Sequence, residues 1–164
     1  MPNRIKKTFD FKKLKRKFPG ILSDALNVIG NRLVKSMEDG IDRGEDIKGN
    51  SFEPLKSTTM ATGGKRPLKR SGKMKKGLKK DPAKPSDLKF IIEMTEKSKG
   101  EVYGAYHNQG YTNSNKKKQW FKNAKIPKRE WFGITKEMQP DGKEMKKAMV
   151  EVQARIVSAW SKRR

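Results

Sequence analysis

The sequence has no cysteine, and this absence excludes several kinds of site at once. Without thiols the chain can form neither a disulfide framework nor a thiolate metal centre. Its single histidine, His107, has no second histidine or cysteine with which to build a usual zinc site. Aspartate and glutamate recur at no metal-ligand spacing. We therefore expect no metal and no cofactor, and we interpret His107 as a structural or solvent-facing side chain.

Long apolar stretches are also missing. No run approaches the roughly 20 residues that a membrane-spanning helix needs. The N-terminal stretch MPNRIKKTFDFKKLKRKF is basic and lacks the apolar centre of a signal peptide. These observations predict a soluble protein that has no membrane partner and acts where it is made.

Large apolar residues are scarce relative to charge. Leu, Ile, Val and Phe number 31 of 164 residues, about 19%, and 41 Lys plus Arg against 18 Asp plus Glu give a net charge of +23. Apolar content below roughly 20% with high net charge is typical of disordered chains, and like-charge repulsion destabilises an isolated monomer. Helical patterns nevertheless argue against full disorder. We expect a single domain over residues 1–164 whose core is completed by neighbouring subunits or an acidic partner.

The positive charge has three interpretations. Contact with nucleic acid is favoured, because clustered Lys and Arg release counterions when they bind phosphates. Docking on an acidic protein surface is the second interpretation. Membrane-surface binding is less favoured, since the basic runs carry few large apolar residues on an opposite face.

The first clear element is a helix near the N-terminus. From Phe18 to Asp39 apolar residues recur at steps of three and four, and Gly40 follows as a stop signal. Residues 1–17 are a basic N-terminal arm. They either extend this helix or stand apart from it, because Pro19 disfavours a straight continuation.

The remaining elements predict a mixed fold. Residues 87–96 alternate between apolar and polar and read as the best strand. Residues 98–100 form a turn, and residues 101–107 follow as the partner strand of a hairpin. Apolar spacing at 141–160, with Asp141 as a cap, predicts a C-terminal helix. The order of helix, basic loop, hairpin, loop and helix predicts an α+β fold with a small antiparallel sheet.

Residues 56–86 form a long basic loop or extended arm. Between 56 and 80 there are ten Lys or Arg and no acid, and four glycines and Pro67 interrupt the run. The segment is a solvated loop, a contact with a protein partner or neighbouring subunit, or a contact with DNA or RNA. No aromatic residue lies between 53 and 89, so no stacking platform for single-stranded bases is present there. The contact candidates in this segment are Lys65, Arg66, Lys69, Arg70, Lys73, Lys75 and Lys76.

Aromatic residues beside basic ones mark two further candidate segments. Trp120 and Phe121 lie in the second basic run, where they are buried, packed at a subunit contact or stacked on nucleic acid. Trp131 follows Arg129 beside a glycine bend. It packs either in the core or at an interface, where Trp and Arg are enriched. We include all four residues among the interface candidates.

No pattern of catalytic residues supports an enzyme. Gly63, Gly64 and Lys65 lack the preceding strand and the spacing of a phosphate-binding loop. Residues 57–59 offer hydroxyl groups without a base nearby in sequence, so nucleophilic catalysis has no support. We expect a non-enzymatic protein.

Four short segments, called the motif segments below, carry the patterns of a known family. GNSFEPLKSTT at 49–59 is similar to G-x-x-(W/F)-x-P-L-x-x-x-T, and PLKRSGKM at 67–74 to (P/I)-L-x-x-(S/T)-G-x-L. YHNQG at 106–110 is similar to Y-x-x-x-H-Q-x-G, and IPKREWFG at 126–133 to I-P-A-R-x-F-L-G. The motif positions are Phe52, Pro54, Leu55, Leu68, Gly72, His107, Gly110, Ile126, Pro127, Arg129, Phe132 and Gly133. In this order, the chain resembles tailed-phage virion morphogenesis proteins, the tail-completion and neck proteins of the Mu-like, P2-like and HK97-like groups.

The resemblance implies a non-enzymatic structural protein at the head–tail junction, a neck, tail-completion or tail-terminator ring that joins the tail to the head connector. The implied partners are further copies of the chain in a homo-oligomeric ring, a hexamer in tail-side members, with the head connector and the tail tube or terminator proteins. Genomic DNA in the lumen is a further implied contact. The implied location is the virion, after assembly in the host cytoplasm. The alternative supported by charge alone is a basic nucleic-acid-binding accessory protein of the ribosome or nucleoid.

Overall fold

The fold combines helices with pairs of short strands. A computed structural model describes residues 11–55, 67–68, 72–95, 97–98, 101–112 and 125–161. The described helices are α1 (Phe11–Arg43), α2 (Lys73–Lys76), α3 (Tyr103–Gln109) and α4 (Lys143–Ser161). The described strands are β1 (Leu78–Asp81), β2 (Ile91–Met94), β3 (Lys97–Ser98), β4 (Glu101–Val102), β5 (Tyr111–Thr112) and β6 (Lys125–Ile126). A 3-10 helix at Lys136–Met138 precedes α4. The predicted α+β class, with helices at both ends and small antiparallel sheets, is confirmed.

Helix α1 begins earlier than its apolar spacing predicts. It starts at Phe11 and continues through Pro19, so residues 11–17 of the predicted basic arm belong to the helix. The proline ring removes one backbone donor without ending the helix. One turn later the hydroxyl of Ser23 donates to the carbonyl of Gly20 at 2.9 Å. Of the two alternatives for the basic arm, residues 11–17 therefore follow the first, in which the arm extends the helix.

Helix α1 also ends later than predicted. Gly40 lies inside it, and the residue with left-handed backbone conformation is Gly44, with φ of +79°. The N–H groups of Gly44 and Glu45 both donate to the carbonyl of Gly40 at 2.9 Å. Glycine adopts positive φ without a Cβ penalty, so the chain turns at Gly44 and not at Gly40.

Helices α1 and α4 pack together as an antiparallel pair. The last turns of α1 contact the residues before α4, whereas the middle of α1 contacts the body of α4. Arg32 of α1 bridges two carboxylates of α4, with Nη1 at 3.0 Å from Glu144 and Nη2 at 3.1 Å from Glu151. The buried apolar side chains between the helices are Val28, Ala148 and Val152. The C-terminal helix predicted at 141–160 is confirmed at Lys143–Ser161.

The strand predicted at 87–96 pairs with a different partner from the one expected. Strand β2 is antiparallel to β1, with Leu78 opposite Met94. Strand β1 lies within residues 56–86, where the sequence predicts a loop. The predicted partner, residues 101–107, is a strand only over its first two residues, which pair with β3. Strands β3 and β4 therefore pair across the predicted turn, whereas the prediction of a strand at residues 103–107 is wrong, because these residues belong to α3.

Helix α3, which lies where the strand was predicted, packs closely at one glycine. A Cβ on Gly104 would lie 2.7 Å from the Met94 side chain and 2.8 Å from the Trp131 ring. The bare backbone of α3 therefore lies directly against two large side chains. A helix also pairs its own backbone groups, whereas a lone added strand would leave half of them without ladder partners.

The β1–β2 hairpin packs against α1 through the amide side chain of Asn27 and the ring of Phe90. Asn27 donates from Nδ2 to the carbonyl of Ala83 at 3.0 Å, and its Oδ1 accepts the N–H of Ala83 at 2.7 Å. The ring of Phe90 lies over Gly30, where a Cβ would come within 2.4 Å of it. These contacts fix the hairpin to one face of the long helix and position the strands beside the main core.

Candidate functional site at the junction of the motif segments

Three of the four motif segments contribute side chains to a single apolar cluster around Trp131. The first segment supplies Phe52, the second supplies Leu68 and Met74, and the fourth supplies Trp131 with Phe132. Trp131 is 2% exposed, and its ring meets that of Phe132 edge to face at a centroid distance of 5.6 Å. The motif positions are therefore adjacent in space although they span some 80 residues of sequence.

The third segment joins this cluster through hydrogen bonds. The side-chain oxygen Oδ1 of Asn108 accepts the backbone N–H groups of Trp131 and Phe132, both at 3.0 Å. The carbonyl of His107 accepts the backbone N–H of Arg129 at 2.7 Å. Three backbone donors of an irregular segment thus find acceptors on α3, which is how a loop can be buried without unpaired polar groups.

Local sequence explains why α3 and the fourth segment meet so closely. Gly110 follows α3 with φ of +76°, the conformation that commonly ends a helix. A Cβ there would lie 3.2 Å from the backbone nitrogen of Lys128, so the two backbones are almost in contact. The indole N–H of Trp131 then reaches the carbonyl of Gly104 at 3.2 Å.

Arg129 connects the fourth segment to the first. Its side chain is 5% exposed, and Nη2 donates to the carbonyl of Glu53 at 3.2 Å. Two backbone bonds extend this connection: the N–H of Ile47 donates to the carbonyl of Glu130 at 2.7 Å, and the N–H of Lys136 donates to the carbonyl of Ile47 at 2.6 Å. The loop after α1 and the loop before α4 are therefore joined by backbone hydrogen bonds beside the cluster.

Two carboxylates stabilise this loop junction. Oδ1 of Asp46 accepts the backbone N–H groups of Lys48 at 2.9 Å and Asn50 at 2.8 Å. Partial burial acts to raise the pKa of Asp46, but the hydrogen bonds from Asn50 and Lys48 outweigh it and the net pKa is lowered. Glu130 pairs with Lys128 and Lys48, and these bonds lower its pKa as well. Both groups are therefore charged at neutral pH.

His107 is held in its neutral form. Burial of the imidazole, followed by the positive charge of Arg129, lowers the pKa of His107 from 6.5 to about 4. Among the described residues, no group of three or more His, Asp and Glu side chains is arranged to hold a metal ion. His107 thus acts in the fold through its backbone carbonyl and its burial on α3.

The predicted contact residues fall into three groups. Lys65, Arg66, Lys69, Arg70, Trp120 and Phe121 lie outside the described residues. Lys73, Lys75 and Lys76 lie on α2, where Lys75 pairs with Asp42 of α1 at 2.7 Å and Lys76 is exposed. Arg129 and Trp131 are buried, which favours the core interpretation of Trp131 over the interface interpretation.

Several residues that organise the junction carry no obvious signal in the sequence. Asn108 and Gly104 each make contacts that position the fourth segment, yet neither belongs to a pattern that predicts such contacts. The available hint is chemical: an asparagine oxygen is well suited to accept backbone N–H groups in irregular chain.

Within the described ranges, no helix is both long and apolar enough to cross a membrane.

Comparison with known proteins places this arrangement in a wider group. The model of a family described as the phage virion morphogenesis family matches residues 3–151. No curated protein and no solved structure gives a significant match. The matched range contains all four motif segments, α1 and the first half of α4.

Proposed function

The chain belongs to the phage virion morphogenesis family, and from this premise we propose that it is a structural protein of the head–tail junction. In this proposal it forms a neck, tail-completion or tail-terminator ring that joins the tail to the head connector. The single observation that carries the proposal is the family match over 149 consecutive residues, 3–151. A role in virion morphogenesis and association with the virion follow from the family itself.

The convergence of the motif segments supports a structural role for them. Phe52, Leu68, Trp131 and Phe132 pack against one another, and Asn108 and Arg129 use their polar atoms to join backbone segments. Each of these groups is occupied in holding the fold together. This use of the patterned residues fits a protein that works by shape and by contact, without catalysis.

The distribution of apolar residues supports assembly into a ring. Across the described residues, seven of the eleven buried apolar side chains lie in two small clusters, one around Trp131 and one between α1 and α4. Several large apolar side chains remain at the surface of the same region, among them Ile134, Val150 and Val157 at more than 60% exposure. A chain with so small a core gains stability when neighbouring copies cover such surface.

The net charge of +23 fits the position proposed for the ring. Packaged DNA lies next to the neck, and Lys and Arg in the lumen would contact its phosphates without reading sequence. The head connector and the tail tube or terminator proteins are the other proposed partners. Assembly takes place in the host cytoplasm in this proposal.

Particles made without this protein test the proposal directly. In a phage whose gene for this chain carries an early stop codon, we expect DNA-filled heads and free tails in the same lysate. Supplying the wild-type chain from a plasmid should restore joined particles, which controls for effects on neighbouring genes. Negative-stain images of normally joined, infectious virions in the absence of the protein would overturn the proposal.

A further inference from the structure

Residues 11–18, which we call the leading turns of α1, concentrate positive charge. Their five basic residues are Lys12, Lys13, Lys15, Arg16 and Lys17. No acidic residue lies in the first turn of the helix, and none follows until Asp24. Arg16 and Lys17 are exposed, and neither makes an ion pair with a described residue. Their charges are therefore not balanced by any carboxylate among the described residues.

The charge of the leading turns works against their own helix. Lys12 with Arg16, and Lys13 with Lys17, occupy neighbouring positions of a helix surface, and like charges at this spacing repel. The N-terminal end of a helix also carries the positive pole of its macrodipole, which disfavours cations there. Both effects favour an unfolded form of the leading turns unless anions neutralise them.

Three features loosen α1 at residues 19–23, which we call the joint. Pro19 has no N–H to donate to the carbonyl of Lys15, and its ring crowds that carbonyl. Gly20 is a poor helix former, and no packing contact requires it, because a Cβ there would meet nothing within 4 Å. Ser23 donates its hydroxyl to the carbonyl of Gly20 at 2.9 Å, a bond of the kind that bends helices.

The joint is also where the tight packing of α1 begins. Ser23 is 3% exposed, and from Ala25 onward α1 packs with α4 in the cluster that contains Val28. On the other side of the joint, Phe18 is 50% exposed. The leading turns amount to about two turns, and a helix so short is marginal in water by its own sequence. A ligand that neutralises their charge should therefore have a large effect on their structure.

We propose that the leading turns are a hinged, conditionally helical element that binds the phosphate backbone of duplex DNA. Without DNA the leading turns fray at the joint, whereas phosphates neutralise the five cations and favour the helical form. The contact is made to phosphates and not to bases, so it is independent of DNA sequence. The proposal deepens the role at the head–tail junction and rests on it, because packaged DNA is the polyanion proposed to lie next to the ring.

Charge density favours duplex DNA as the occupant. Residues 12–17 carry five positive charges over about 9 Å of helix. Duplex DNA presents one negative charge for about every 1.7 Å of its axis, so an equal length carries a similar number of charges. Carboxylates at that density on a protein surface would repel one another, whereas the phosphates of DNA are held in place covalently.

Backbone chemical shifts of the full-length chain report helix content residue by residue. At low salt and without DNA, the Cα shifts of the leading turns should indicate partial helix, and those of residues 24–40 full helix. A short duplex should raise the helical shifts of the leading turns and leave residues 24–40 unchanged. Pro19→Ala combined with Gly20→Ala should give the same rise without DNA, because it restores a backbone donor and removes a poor helix former.

Salt-dependent DNA binding separates the leading turns from the rest of a basic chain. The test variant replaces all five Lys and Arg of the leading turns by Gln. The matched control replaces five exposed lysines elsewhere by Gln: Lys76, Lys79, Lys84, Lys143 and Lys146. Each phosphate contact contributes about 0.9 to the slope of log K against log salt, so this slope should shrink by about four in the test variant and by less than about one in the control. Circular dichroism verifies that both are folded.

Three outcomes would overturn the proposal. Equal loss of slope in the two variants, or an unchanged slope in the test variant, would mean that the leading turns are not the main DNA contact. Leading turns that are fully helical without DNA, or that do not respond to it, would contradict conditional folding. A response to anionic vesicles or to polyglutamate, with none to duplex DNA, would assign the leading turns to a membrane or to an acidic protein.

These measurements separate failure of the DNA contact from failure of the proposed function. Both use the purified chain and require no ring or virion. If they fail while particles lacking the chain remain unjoined, the DNA contact is wrong and the role at the junction stands. If they succeed while joined particles form without the chain, the DNA contact stands and the role at the junction is wrong.

Discussion

Trp131 is the residue on which the packing of the motif segments most depends. It is 2% exposed, contacts the other cluster members and donates its indole N–H to Gly104. Trp131→Ala should lower the free energy of unfolding by about 3–5 kcal/mol, because it removes a large buried ring and leaves a cavity. Trp131→Phe, which keeps most of the apolar volume and loses the hydrogen bond, should cost about 1–2 kcal/mol.

Urea denaturation of the two variants measures this difference. Equal loss in both would mean that the hydrogen bond to Gly104, and not the volume of the ring, dominates. Unchanged stability together with failed assembly would return Trp131 to the interface interpretation.

His107 predicts a pH dependence of stability with a defined direction. Its pKa is about 4 in the fold, against an ordinary value of 6.5. Well above pH 6.5 the imidazole is neutral in both the folded and the unfolded chain, so it does not make the free energy of unfolding depend on pH. Between pH 6.5 and 4 only the unfolded chain takes up the proton, so stability is lost as the pH falls. The total loss should be about 2–3 kcal/mol, after allowance for the partial exposure of the ring.

The His107→Gln variant isolates this effect. Carboxylates with lowered pKa, such as Glu130 and Glu144, also destabilise the fold on acidification, but they titrate identically in both proteins. The difference in unfolding free energy between wild type and His107→Gln should therefore change between pH 7 and pH 4 and be constant above pH 7. A constant difference over the whole range would contradict the burial of a neutral imidazole.

At the scale of elements, two glycines of α1 offer a test with an internal control. A Cβ on Gly30 would lie 2.4 Å from the ring of Phe90, whereas a Cβ on Gly20 meets nothing within 4 Å. Gly20→Ala should stabilise the protein by about 0.5–1 kcal/mol, because alanine loses less backbone entropy in a helix. Gly30→Ala should destabilise it by about 1–2 kcal/mol, since overpacking outweighs the same helix gain.

The overpacking expected in Gly30→Ala arises from the Phe90 ring of the β1–β2 hairpin. The loss of stability should therefore be smaller when Phe90 is also shortened to leucine. Thermal unfolding of Gly30→Ala, of Phe90→Leu and of the double variant measures the coupling energy between the two positions. Gly20→Ala should raise the melting temperature, and Gly30→Ala should lower it. Stabilisation by both substitutions would mean that Phe90 does not pack on α1.

The helices could be predicted from the sequence because periodicity survives even in a highly charged chain. Apolar residues at steps of three and four identified α1 and α4, although the end of α1 was set by Gly44 and not by the earlier Gly40. Strand β1 was missed because four residues, three of them charged, contain a single apolar one. Strands β3 and β4 lie on either side of the predicted turn, but the helix that follows them packs at Gly104 against side chains distant in sequence, which no local pattern reports.

For the candidate site, the sequence identified the segments but not the chemistry between them. The motif patterns selected Phe52, Leu68 and Phe132, which do meet in one cluster. Periodicity cannot report burial in an irregular segment, so no sequence pattern distinguishes core from interface for Trp131, whose burial depends on distant segments. The part played by Asn108 was hidden for a similar reason, since its partners are backbone groups more than 20 residues away.

At the scale of the whole molecule, net charge sets how stability responds to salt. With +23 on 164 residues, repulsion opposes the folded state, and the Debye length falls from about 30 Å at 0.01 M salt to about 8 Å at 0.15 M. Favourable ion pairs such as Arg32 with Glu144 and Glu151 are partly buried and are screened less. The melting temperature should therefore rise by several degrees over this range, equivalent to about 1–2 kcal/mol.

Assembly would produce a rise of the same sign, so the measurement must separate the two causes. Stabilisation by contact between copies depends on protein concentration, whereas screening within one chain does not. A variant combining Val150→Lys with Val157→Lys, which adds charge at two exposed apolar positions of α4 and so disfavours contact between copies there, should keep a salt-dependent rise that is independent of concentration. Sodium chloride is the appropriate salt, because sulfate also strengthens apolar burial. A melting temperature that falls with sodium chloride in this variant would mean that ion pairs, and not the net positive charge, dominate the electrostatics of the fold.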